Sequence, residues 1–159
     1  MNIYAYAMKM EKDGEAFYHA IAAETSDEGL KTIATMLADQ ELKHYNAIFE
    51  MPKSVCVLAG TDVLNDAKNI FAKMQGQKVF VSEQKQIEAY RKAQDIEKQS
   101  EKFYLTKVIE VDDPAQKRLF ERLAKEEKKH YFLLENIIEF LSRPQQWLEN
   151  AEWYHLDEY

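Results

Sequence analysis

The sequence predicts an all-α protein, a four-helix bundle whose two helix pairs are joined by one long crossover. Three observations predict it. Only 4 glycines and 3 prolines occur among 159 residues, which leaves few turns and room for long helices. Apolar residues recur at helical spacing through most of the chain. Residues 11–45, laid without a gap on residues 97–131, are identical at 14 of 35 positions, where composition alone gives about two or three, so one helix pair occurs twice.

The first helix is expected over Asn2–Glu24. Tyr4, Ala7, Glu11, Gly14 and Tyr18 form one stripe on it, with Ile3, Met10, Phe17 and Ile21 beside the stripe. After a polar break at Thr25–Glu28, a second helix runs from about Asp27 to Met51. Leu30, Ile33, Leu37, Leu42, Ile48 and Phe49 carry it, and Pro52 stops it. Lys53–Gly60 reads as a loop, and Thr61–Gln75 as a shorter helix with Thr61 as N-cap and Gly76 as stop. A third long helix starts after Ser82 and reaches about Val111. Asp113 followed by Pro114 is an N-cap with a first-turn proline, so the fourth long helix spans Pro114–Leu141. Ser142–Pro144 break the chain, and a short amphipathic segment, Gln145–Leu156, closes it. A helix of about 24 residues is about 36 Å long, so the return between two hairpins must be long. The whole chain, 1–159, is expected to be one domain: helix pairs at 1–51 and 83–141, the crossover at 52–82 and a C-terminal segment at 142–159.

Composition excludes several functions. There are 28 acidic and 21 basic residues, a net charge of −7, which argues against nucleic acid as a partner because such binding neutralises phosphates with cations. The single cysteine, Cys56, permits neither an intramolecular disulfide nor an all-cysteine metal site. It is read as a small apolar filler. No window approaches 18 consecutive apolar residues, and the N-terminus lacks a basic start followed by an apolar run. A cytoplasmic protein with no membrane partner is expected.

Glu11 stands in the middle of the first stripe, and Tyr90–Ala93–Glu97–Ser100–Tyr104 repeats that stripe on the third long helix. A carboxylate on a buried face is costly unless it is paired, protonated or bound to a metal. Gly14 and Ser100, one turn later, leave space beside each carboxylate. The second and fourth long helices carry Glu41-x-x-His44 and Glu127-x-x-His130. Spacing i, i+3 lets one helix offer an oxygen and a nitrogen to the same ion. A single Glu-x-x-His is ordinary surface sequence; two copies, with two core-facing glutamates, point to metal rather than to a network of buried ion pairs. Four carboxylates offset the +4 of two divalent ions, and oxygen with imidazole suits iron or manganese.

Glu15 and Glu101 lie one turn beyond Glu11 and Glu97, about 40° round the helix, and read as rim carboxylates or as additional ligands. Tyr18 and Tyr104 could hydrogen-bond the ligand carboxylates or simply pack in the core. His19 has Leu105 as its counterpart and His155 lies in the tail, so both read as incidental. Trp147, Leu148, Ala151, Trp153 and Tyr154 read as a patch that packs on the bundle or on a partner subunit.

These residues resemble the rubrerythrin-like branch of the ferritin superfamily over about 1–51 and 83–141. The shared pattern is a glutamate seven residues before a tyrosine, then Glu-x-x-His, each twice: Glu11…Tyr18, Glu41…His44, Glu97…Tyr104 and Glu127…His130. The resemblance implies a ferritin-like fold and a carboxylate-bridged diiron site. Glu41 and Glu127 would bridge, with Glu11 and His44 on one iron and Glu97 and His130 on the other. It further implies reduction of hydrogen peroxide, with Tyr18 and Tyr104 as proton or electron relays.

Two departures are visible. Rubrerythrins commonly carry a second carboxylate three residues after the ligand of the third long helix, where this chain has Ser100, with Glu101 next to it. Full rubrerythrins also carry a rubredoxin domain, which one cysteine cannot build, so electrons would come from a separate donor protein. The alternatives are a ferroxidase or iron-handling protein that uses oxygen, and a non-catalytic metal-binding module. A small homo-oligomer, most simply a dimer, is the expected assembly.

Overall fold

A computed structural model describes residues 2–51, 63–74 and 84–142. Five helices occupy them: α1 (Ile3–Glu24), α2 (Glu28–Glu50), α3 (Val63–Met74), α4 (Gln84–Glu110) and α5 (Pro114–Ser142). The all-α architecture agrees with the sequence. The readings of Lys53–Gly60, Cys56, Thr61, Gly76, Ser82 and the segment after Ser142 fall outside the described residues. Among those described, no helix is long and apolar enough to cross a membrane.

Side chains set the helix starts. Asn2 Oδ1 accepts from the Ala5 amide at 2.7 Å, Asp27 Oδ1 from Leu30 at 2.9 Å, and Asp113 Oδ2 from Gln116 at 2.9 Å. Each satisfies one of the amides that a first turn leaves without a partner. The end of α1 is closed by Thr25, whose amide and hydroxyl both donate to the Ile21 carbonyl.

Hairpin α1–α2 packs beside hairpin α4–α5, with α1 against α4 and α2 against α5, while α3 packs on both α2 and α5. Two apolar clusters fill the ends. One, around Tyr18, Leu30, Leu37, Phe71, Tyr90, Leu133 and Phe140, lies at the α1–α2 turn, where α3 contributes Phe71. The other, around Ala7, Ile48, Tyr104, Leu119, Phe120 and Leu123, lies at the α4–α5 turn. Phe49 departs from its expected place in the buried stripe, being 49% exposed. Eleven residues make about three turns, so Ile48 stays in line with Leu37 and Phe49 is rotated about 100° off it.

Candidate metal centre

Between the two apolar clusters lies a layer of charged side chains. Glu11 comes from α1, Glu41 and His44 from α2, Glu97 from α4, and Glu127 and His130 from α5, and all six are buried. Helical phase places them there. Glu11 follows Ala7 by one turn and precedes Tyr18 by two, and both flanking residues are buried. Glu41 and His44 continue the line of Leu37 and Ala38 on α2, as Glu127 and His130 continue that of Leu123 and Ala124 on α5.

The geometry has a pseudo-two-fold. His44 Nδ1 lies 2.9 Å from Glu127 Oε1 and 3.3 Å from Glu11 Oε2. His130 Nδ1 lies 3.0 Å from Glu41 Oε1 and 3.3 Å from Glu97 Oε1. Each imidazole thus faces the end glutamate next to its own repeat and the α2 or α5 glutamate of the other. The rings are nearly parallel, with centroids 5.5 Å apart and 8° between planes. Donors about 2.1 Å from an ion and at right angles to each other are about 3 Å apart, as these are.

Two groups of four meet the spacing of a metal shell. Glu11, Glu41, His44 and Glu127 form one, and Glu41, Glu97, Glu127 and His130 the other. In each, one ligand atom per residue lies within 4.8 Å of all the rest. Glu41 and Glu127 are common to both. The donors are also short of hydrogen bonds. Glu11 Oε2, Glu41 Oε1, Glu97 Oε2, Glu127 Oε2 and His130 Nδ1 are buried with no such partner, a costly arrangement that cations relieve. This donor set fits two ions of the iron or manganese class.

Electrostatics separate the four carboxylates into two kinds. Burial, and then the charges of Glu97 and Glu11, push the Glu41 carboxyl far above its ordinary range. Burial, and then Glu41, Glu11 and Glu97, do the same to Glu127. Burial works to raise Glu11 and Glu97, but the neighbours together outweigh it and hold both below the usual carboxylate range: His44, Glu41 and Tyr104 around Glu11, and His130, Glu127 and Tyr18 around Glu97. For His44, burial lowers the pKa, but Glu11, Glu97 and Glu126 together outweigh it, so the imidazole pKa is raised. Without metal, the shared glutamates therefore hold their protons to higher pH than a free carboxyl does, and Glu11 and Glu97 lose theirs at lower pH.

The tyrosines cross between hairpins. Tyr18 of α1 donates to Glu97 Oε1 of α4, and Tyr104 of α4 donates to Glu11 Oε1 of α1. Burial, and then the facing carboxylates, raise both phenols well above their ordinary value, so both stay protonated. Each terminal carboxylate thus has one oxygen held by a hydrogen bond.

Glu15 and Glu101 fall outside both groups. Glu15 pairs with Lys12 at 2.8 Å near the surface; Glu101 is half-buried beside Lys98 and Leu105 on the outer face of α4. His19 is exposed on α1, 3.8 Å from Glu15. Sequence reasoning missed Glu126, which is fully buried, 3.0 Å from Lys129, and contributes to raising His44. Its counterpart is Gln40, so the repeat carried no signal for it.

No curated protein matches the chain. Among solved structures, a hypothetical protein from Pyrococcus furiosus is 25% identical, with a TM-score of 0.58 over 93% of this chain and 89% of that one. The family model described as rubrerythrin matches residues 2–138, a span that takes in every residue of the buried layer. Because that match spans most of the chain, and the doubled Glu-x-x-His lies within it, the chain belongs to the rubrerythrin family.

Proposed function

We propose that this protein is a carboxylate-bridged diiron oxidoreductase that reduces hydrogen peroxide to water with electrons from a separate donor protein. The observation that carries this reading is the pair of buried four-residue groups sharing Glu41 and Glu127. Two ferrous ions, when bound, would supply the two electrons that cleavage of the peroxide bond consumes. Glu11 and His44 would hold one ion, Glu97 and His130 the other, and Glu41 and Glu127 would bridge them. Manganese is the alternative occupant of the same donor set.

The chain's own groups perform the remaining work. Tyr104 and Tyr18 fix one oxygen of Glu11 and Glu97, which orients the other oxygen toward the site. Their hydroxyls are protonated donors to these carboxylates, which supports a role for them as proton relays. The apolar clusters above and below keep bulk water from the layer.

Metal analysis of protein purified without chelator should find two iron or manganese ions per chain. Stopped-flow mixing of the diferrous protein with peroxide and, separately, with oxygen tests the reaction. Rapid oxidation by peroxide supports the proposal. Oxidation by oxygen alone, with peroxide inert, sinks it in favour of a ferroxidase, and failure to take up two ions sinks both. Size-exclusion chromatography near 37 kDa, twice the 18.7 kDa chain, checks the expected dimer; a species of several hundred kDa favours iron storage.

A further inference from the structure

Gly14 occupies the interior of α1, where glycine is less favourable than every residue except proline. Its neighbour across the hairpin is Glu41. A Cβ built on Gly14 would lie 2.9 Å from Glu41 Oε2, 3.4 Å from Cδ and 3.5 Å from Cγ. The end of that side chain is therefore laid against the backbone of α1. At the repeat-related position Ser100 carries a Cβ and is buried beside the layer. The second half thus carries a side chain where the first has the Glu41 carboxylate lying against bare backbone.

We infer that Gly14 is a positioning residue for the metal pair, its missing Cβ being what lets the Glu41 carboxylate take its bridging place. This rests on the two-ion reading above. Oε2 is the oxygen pressed against Gly14, while Oε1, buried without a hydrogen-bond partner, sits 3.0 Å from His130 Nδ1. As a residue shared by both ions, Glu41 would need its carboxylate held in this place. A methyl group at position 14 displaces the carboxylate by several tenths of an ångström. The fold tolerates this, because the displaced atom is the far end of a flexible side chain and alanine is the better helix residue. The metal pair does not, because a ligand oxygen has moved.

Anaerobic titration with Fe(II), and separately with Mn(II), together with the apo melting temperature, tests this. Gly14→Ala should leave the apo melting temperature unchanged or raised, and should weaken uptake of the ion pair about tenfold or more. Shortening the bridge in that background, Gly14→Ala with Glu41→Asp, should recover part of the affinity, although Glu41→Asp alone loses it. Undiminished two-ion uptake by Gly14→Ala overturns the inference. So does a lowered apo melting temperature, or a loss that Glu41→Asp does not relieve. A wild-type protein that takes up no ion pair overturns the diiron reading itself and this inference with it.

Discussion

The two hairpins agree in their chemistry and differ in their packing. Glu11, Tyr18, Glu41 and His44 of α1–α2 recur as Glu97, Tyr104, Glu127 and His130 of α4–α5, and the two imidazoles keep nearly the same distances to their carboxylates. Away from the layer the copies part. Ala34 of the first corresponds to Phe120 of the second, which stacks between Tyr4 and Tyr104 at 6.1 and 5.9 Å. The opposite end is filled by α3, whose Phe71 meets Phe140 edge-on at 5.1 Å. Packing only has to fill volume, and a side chain or an extra helix fills it equally well. A ligand has to place a particular atom, which leaves no such freedom.

The largest expected effect lies on the packing side of this comparison. Phe120→Ala should cost about 3–5 kcal/mol of stability, measured by denaturant melts, because α3 is at the far end and cannot refill the space. Its ion uptake at low temperature should survive. Loss of ions from a still-folded Phe120→Ala would erase the distinction between packing and chemistry.

Next comes removal of a bridge. A metal bound only to the native state stabilises it by RT ln(1 + [L]/Kd), about 2.7 kcal/mol at one hundred times Kd. Glu127→Ala should abolish that metal-dependent rise in melting temperature and lower occupancy of both ions. Its apo form should be no less stable than wild-type apo protein, since one buried carboxyl is gone. Glu41→Ala should behave alike. Two ions held by Glu127→Ala with undiminished affinity would refute the assignment.

The same carboxylates set a pH dependence. The Glu41 and Glu127 pKa values lie above 4.5 in the folded apo protein, so the native state holds more protons than the unfolded one. Apo stability should then fall as pH rises above about 4.5 and through the raised values, and metal binding should release protons. Glu11 and Glu97, lowered, act oppositely and contribute stability that is lost as pH falls below about 4.5. Thermal melts across pH, with and without metal, check both arms; an apo stability that rises steadily from pH 5 to 8 would contradict this.

Smaller still are the tyrosines. Tyr18→Phe and Tyr104→Phe should each weaken metal affinity about 10–100-fold, and by similar factors if the pseudo-symmetry extends to them. An effect confined to one would show that the two ions are not equivalent. Ser100→Ala, the mildest change, should leave metal loading nearly intact, which separates this position from Gly14.

Much of this was legible in the sequence because it depends on helical phase. A residue's place on a helix face follows from its number, so the buried stripe, the two Glu-x-x-His pairs and the internal repeat were all readable. Relations across helices were not. That Tyr18 reaches Glu97 rather than Glu11, or that Gly14 touches Glu41 rather than merely leaving room, depends on how two faces interdigitate. Phe49 shows the limit within one helix, where a single residue's step separates a buried position from an exposed one. Glu126 shows another, since an acidic residue next to a ligand carries no mark of its own burial.

The crossed tyrosine bonds have one further consequence. In a symmetric homodimer, if residue i of one subunit touches j of the other, then j touches i. Tyr18 with Glu97 and Tyr104 with Glu11 obey that rule within a single chain, because Glu97 is the repeat of Glu11 and Tyr104 that of Tyr18. The two hairpins therefore meet as two identical subunits would, and the segment between α2 and α4 makes them one polypeptide. In a true homodimer any substitution appears on both sides at once. Here each side changes alone, and Gly14 opposite Ser100 records a change that a symmetric pair could not have made.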